Sequence, residues 1–274
     1  MTVQRINDIP NVPIKRMSSG IPELDWIYGG EEGSSSWGFP DGKISLWSGV
    51  KGVGKSRATI QIAKTFCSLG RKVLFFQGET DLPSFRKWVG ENNSDDFLVS
   101  DSFDLKEQVQ EIKDNYPDIV IVDSVNRIEE FGSGVKSNIK KIYEGYKEAI
   151  KWVQVMGKMG SEIHIIFLCQ LNKDGSAKGS SDLGHLVDTE VSITYWTDPA
   201  LIGTMPGRFC IKLGDKHRYG RTGEQFITYW KHLDDGVRCW SKERFKDAKW
   251  QKSFKYNQNK AQKKKSFFSK FLGK

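Results

Sequence analysis

Gly49-Val50-Lys51-Gly52-Val53-Gly54-Lys55-Ser56 matches G-x-x-x-x-G-K-[ST] in full, the pattern of a phosphate-binding P-loop. The six residues before it, Lys43-Ile44-Ser45-Leu46-Trp47-Ser48, alternate apolar and polar as a strand does. After it, Ile60, Ala63 and Phe66–Cys67 recur at helical spacing. The motif therefore sits in the strand–loop–helix context it needs. Backbone N–H groups of Gly49 to Arg57, with the positive end of the following helix, form a cradle for anionic phosphates. In such a loop Lys55 reaches the β- and γ-phosphates of ATP and the Ser56 hydroxyl holds Mg²⁺.

Working outward, strands and helices alternate: strand 43–48, helix 55–69, strand 72–77, helix 82–91, strand 97–100, helix 104–115, strand 118–123, helix 138–157 and strand 162–169. This predicts an α/β fold: a mostly parallel twisted sheet with helices on both faces. Beyond 185 strands are expected near 187–196, 207–214, 225–231 and 236–240, as an antiparallel C-terminal extension of the same sheet. Residues 1–42 read as an arm and a short helix ending near Tyr28, with Ser18 or Ser19 as its cap. Residues 43–245 form the core, and 246–274 a basic, flexible tail.

Three further strand ends carry candidate chemistry. Asp118-Ile119-Val120-Ile121-Val122-Asp123 is an apolar run ending in an acid, a Walker B pattern that delivers Asp123 to Mg²⁺. Strand 72–77 leads into Gln77-Gly78-Glu79-Thr80. Neighbouring parallel strands share a crevice at their carboxyl ends, so Glu79 is expected beside the phosphates, polarising the attacking water. Gln170, at the end of strand 162–169, is placed to sense the γ-phosphate.

These pieces together resemble the RecA/RadA (Sms) family of P-loop ATPases and its KaiC-like relatives. Ser19-Gly20-Ile21-Pro22-Glu23-Leu24-Asp25 with Gly29-Gly30, Gln77-Gly78-Glu79-Thr80, Asp123-Ser124-Val125-Asn126 and Leu183-Gly184-His185-Leu186-Val187-Asp188-Thr189 each resemble a family motif. So does Lys216-His217-Arg218-Tyr219-Gly220, similar to the K-N-R-F-G signature of the RadA branch. The resemblance implies a RecA-like core and ATP hydrolysis with Glu79 as the catalytic glutamate. It also implies a homo-oligomer, ring or filament, in which Lys216 and Arg218 reach the γ-phosphate held by the neighbouring subunit. Family members grip single-stranded DNA with two loops. The matching segments are Arg127 to Lys141, with Lys136 and Lys140, and Asn172 to Asp182, with Lys173 and Lys178. A role in DNA recombination or repair follows from the resemblance. A hexameric replicative-type helicase core and a KaiC-like regulatory ATPase are the other readings. The chain departs from the family at Lys51, Arg57 and His217, and neither a Cys₄ zinc module nor a protease-like domain is expected.

Composition bounds the remainder. The net charge is +8. Residues 242–274 hold 12 Lys/Arg against two acids, +10, which leaves the other residues at −2. Nonspecific attraction to nucleic acid is thus expected mainly from the tail and local loops. Within 263–272, Phe267, Phe268, Phe271 and Leu272 would share one side of a helix. That fits a docking peptide for a clamp or another replication protein, with simple DNA attraction or membrane contact as alternatives. Four apolar residues are too few to anchor firmly. The four cysteines form no C-x-x-C pair and read as reduced. With no apolar leader, the expected compartment is the cytoplasm.

Overall fold

The computed structural model describes residues 5–8, 13–30, 36–90, 94–128, 136–157, 161–171, 182–195, 209–219, 230–233 and 236–239. The expected tail, Lys173 and Lys178 lie outside these residues. Among the described residues the order runs β1 (Arg16–Met17), α1 (Pro22–Tyr28), β2 (Phe39–Pro40), β3 (Lys43–Val50), α2 (Lys55–Ser68), β4 (Val73–Gln77), α3 (Leu82–Val89) and β5 (Phe97–Ser100). It continues with α4 (Leu105–Asn115), β6 (Ile119–Asp123), α5 (Lys136–Met156), β7 (His164–Leu171) and α6 (Asp182–Leu186). The last strands are β8 (Thr189–Tyr195), β9 (Phe209–His217), β10 (Trp230–Leu233) and β11 (Gly236–Cys239).

The central sheet has seven strands in the order β5-β4-β6-β7-β3-β8-β9. All pairings are parallel except β8 with β9. The apolar runs Ile119–Val122 and Ile165–Leu168 are fully buried, as strands covered on both faces must be. One face packs on α1, α2 and α3 through Ile27, Ile62, Phe66, Phe75 and Phe85. The other packs on α4, α5 and α6 through Val109, Ile142, Tyr146, Phe167 and Leu183. On α5 the buried residues Ile139, Ile142, Tyr146, Ala149, Ile150 and Val153 recur at three- and four-residue spacing, which is one helical stripe.

A polar chain is sealed under the amino ends of β3 and β7. The Trp47 indole N–H donates to the Tyr28 hydroxyl at 2.7 Å, and that hydroxyl donates to Ser45 Oγ at 2.9 Å. Ser45 Oγ lies 2.6 Å from His164 Nε2, while His164 Nδ1 faces the Pro40 carbonyl at 2.8 Å. A carbonyl only accepts, so Nδ1 carries the proton and Nε2 accepts from Ser45. Every group in this buried chain is then satisfied, as burial of polar atoms requires.

Four sequence expectations change. The first strand after 185 joins the sheet parallel to β3, so only β9 is the antiparallel extension; β10 and β11 form a separate hairpin. Alternating apolar patterns fix a strand's faces but not its direction or partner. Neither Ser18 nor Ser19 caps α1, whose N-cap is Ile21 without a side-chain bond. Their hydroxyls instead donate to Asp25 at 2.6 and 2.7 Å. The helix expected from 138 begins at Lys136, so Lys136 as well as Lys140 belongs to α5 rather than to a loop. The expected arm also carries a strand, since Arg16–Met17 pairs with Phe39–Pro40.

Candidate nucleotide site at the carboxyl edge of the sheet

The P-loop leaves β3 and enters α2 at Gly54, whose φ of 96° lies in the left-handed region that favours glycine. Val53 is fully buried and pins the loop to the core. The first turn of α2 has no acid, so the positive end of the helix is not neutralised. Lys55 is only 6 % exposed. Its ammonium donates to the carbonyls of Gly49 at 2.9 Å and Val50 at 3.3 Å. Burial lowers its pKa, and the charges of Glu79 and Asp123 work against that shift.

Strand register gathers the other candidates. Gln77 pairs with Asp123, and Gly49 pairs with Gln170. The ends of β3, β4, β6 and β7 therefore stand side by side. Asp123 is buried, its Oδ1 has no hydrogen-bond partner, and the Ser56 hydroxyl is its side-chain contact. Burial first, then the negative charge of Glu79, pushes its pKa up to about 7. An orphaned carboxylate oxygen beside a serine hydroxyl is a fit for a divalent cation, which would return Asp123 to its ionised form. Among the described residues no group of three or more His, Cys, Asp or Glu could hold a metal. Mg²⁺ would thus need phosphate and water oxygens, as P-loop sites supply.

Gln77, Gly78 and Asn126 stood in the quoted motifs, but their positioning roles were not read from the sequence. The Gln77 amide accepts the backbone N–H of Glu79 at 2.7 Å and of Thr80 at 3.0 Å, which sets the turn carrying Glu79. Gly78 donates to the Asp123 carbonyl at 2.8 Å, and a Cβ on it would clash with the Phe103 ring. Asn126 Oδ1 accepts the Gln170 N–H at 2.9 Å, tying β7 to the turn after Asp123. Gln77 and Asn126 were marked only as members of those motifs; Phe103 carried no signal. Arg57, one residue past Ser56, lays its guanidinium 4.8 Å from the centre of the Trp88 ring. Lys51 is exposed in the loop.

Arg218 is not brought to this crevice. Its N–H donates to the Asp188 carbonyl at 3.2 Å, and Asp188 N–H donates to Ile44 at the start of β3. From Ile44 to Gly49 the strand rises about 16 Å, so Arg218 lies at the opposite, amino edge. It is half exposed, with Nη1 3.9 Å from Asp188 Oδ1. Lys216 lies near the end of β9, and its side chain is outside the described residues.

Fold and site define a P-loop protein with a RecA-like core. No protein-family model matches the chain. It is 27% identical over 212 residues to the DNA repair protein RadA of Mycobacterium tuberculosis, covering 75% of this chain and 40% of that protein. Over 230 residues it is 27% identical to the DNA repair protein RadA of Aquifex aeolicus, covering 81% and 46%. The protein of the same name from Bacillus subtilis is 25% identical over 235 residues, covering 82% and 46%. The chain is RadA/RecA-like, and it spans less than half the length of these curated relatives.

Proposed function

We propose that the chain is an ATP-hydrolysing, single-stranded-DNA-binding protein of DNA recombination or repair. The observation that carries the reading is the gathering of Lys55, Ser56, Glu79 and Asp123 at one sheet edge, with Asp123 Oδ1 unpaired. The name of the relatives, DNA repair protein RadA, supports the DNA half. Residues Gly49 to Arg57 would hold the phosphates of ATP, and Ser56 and Asp123 would hold Mg²⁺. When bound, Mg²⁺ neutralises charge on the β- and γ-phosphates. Glu79 takes the proton of the attacking water, Lys55 stabilises charge on the transferred group, and Gln170 reads the loss of the γ-phosphate.

Lys216 and Arg218 complete the site of a second copy, in the manner of arginine fingers. The distance of Arg218 from its own P-loop supports a role in trans. Lys136, Lys140, Lys173 and Lys178 contact DNA phosphates, residues 263–272 dock a protein partner, and the protein works in the cytoplasm. Among the described residues, no helix is long and apolar enough to cross a membrane.

The test is the rate of ATP hydrolysis with and without single-stranded DNA, across salt. Stimulation that weakens steeply with salt is the expected result. A rate indifferent to DNA at every salt concentration would remove the DNA half. Wild-type turnover in Lys55→Ala would remove the ATPase.

A further inference from the structure

Cations gather at the amino edge, away from the P-loop. On α5, Lys140, Tyr143, Lys147 and Lys151 recur at three- and four-residue spacing, so they share one face. Lys140 and Lys151 are exposed, and Tyr143 and Lys147 are half-buried. The Lys147 ammonium donates to the Gly42 carbonyl at 3.2 Å, which brings it against the start of β3. Burial acts most on it there; among the charges Asp188 comes first and attracts it, Lys43 and Lys151 repel it, and Glu144 attracts it. Lys43 Nζ lies 4.3 Å from the centre of the Tyr219 ring. Arg218 and Tyr219 are electrostatic neighbours of Tyr143.

Two acids, Asp188 and Glu144, face these cations. Asp188 is 4% exposed; one carboxylate oxygen accepts the Ile44 N–H at 3.1 Å and the other lies 3.9 Å from Arg218. Glu148, one turn beyond Glu144, is held by Lys113 at 2.6 Å. Glu144 is the remaining acid of α5 in this group.

We propose that this face binds the phosphate backbone of single-stranded nucleic acid, with Lys43, Lys147 and Lys151 as its phosphate contacts. The proposal rests on the DNA-binding reading above and adds a surface to it. Like charges crowded at a partly desolvated place are relieved by a polyanion. The row suits a strand better than a single triphosphate, because Lys140 and Lys151 are about 16 Å apart along the helix at 1.5 Å per residue. Tyr143 packs against the core and the Lys43 ammonium covers the Tyr219 ring, so the contact proposed is with backbone phosphates rather than with stacked bases.

The experiment is equilibrium binding of fluorescein-labelled oligo(dT) to the full chain, read by anisotropy from low to moderate salt. Lys147→Ala/Lys151→Ala should bind about tenfold more weakly, with a salt slope smaller by roughly 1.4, about 0.7 per lost contact. Lys87→Ala/Lys106→Ala removes the same charge from two exposed positions elsewhere and should stay within about twofold of wild type. If the α5 variant behaves like this control while wild type binds, the face is not a DNA contact and the proposal is overturned. A fall in ATP hydrolysis with unchanged oligo(dT) affinity overturns it too, and assigns the lysines to the nucleotide of a second copy. Should the double variant melt early, Lys151→Gln at an exposed position must still lower affinity and slope. No binding by wild type would overturn the proposal and the DNA half of the proposed function together.

Discussion

Asp25 shows how burial and hydrogen bonding compete at one carboxylate. It is fully buried, and Ser18, Ser19 and the Gly20 backbone all favour its ionised form. Burial outweighs them and pushes its pKa up to about 6. The unfolded value is about 3.9. Between the two the native state holds more protons than the unfolded chain, so stability falls as pH rises from about 4 to 6 and is level above. Asp25→Asn removes this slope. In urea unfolding, wild type should lose about 1–3 kcal/mol relative to the variant between pH 4 and pH 7. A constant difference would mean the group does not titrate in that window. Gly78 is decided by space, since an alanine Cβ would enter the Phe103 ring. Gly78→Ala should cost about 1–3 kcal/mol and lower ATP hydrolysis by displacing Glu79. Adding Phe103→Ala should restore part of the rate; no recovery would show that the contact is not the cause.

At the scale of elements, the sheet and its two helical layers are legible in the chain. Ile119–Val122 is continuous apolar sequence and becomes a strand buried on both faces. Asp104 sits before α4 and caps it, accepting the N–H groups of Lys106 and Glu107 at 2.8 and 2.9 Å. Asp104→Ala should cost about 1 kcal/mol, seen as a lower urea midpoint at unchanged slope. The network under β3 is different in kind. Tyr28, Ser45, Trp47 and His164 are far apart in the chain, and no spacing links them. Tyr28→Phe leaves the Trp47 N–H without its acceptor and should cost about 1–3 kcal/mol. A stability equal to wild type would mean the indole finds another partner.

At the scale of the molecule, the two halves of the proposed chemistry lie on opposite edges of one sheet. Lys55, Glu79 and Asp123 are at the carboxyl edge, and Arg218 is at the amino edge. If Arg218 serves a second copy, neither Lys55→Ala nor Arg218→Ala alone should hydrolyse ATP at the wild-type rate. Mixed, they should regain part of it, because some junctions then pair an intact P-loop with an intact Arg218. Confirmed co-assembly without recovery would count against a shared site.

The P-loop, Asp123 and Glu79 were legible from sequence because each belongs to a local pattern: a fixed motif, an apolar run ending in acid, a turn after a strand. Alternation of strand and helix gave the parallel sheet for the same reason, since periodicity is a local property. Direction and neighbour are not local. The strands after 185 were expected to extend the sheet antiparallel, yet β8 runs parallel to β3 and β10–β11 stands apart, because side-chain alternation is the same for either pairing. Only the tertiary structure brings Asn126 to Gln170, Phe103 to Gly78 and three lysines to one edge. Contacts between distant segments come from packing, and packing leaves no periodic mark in the chain.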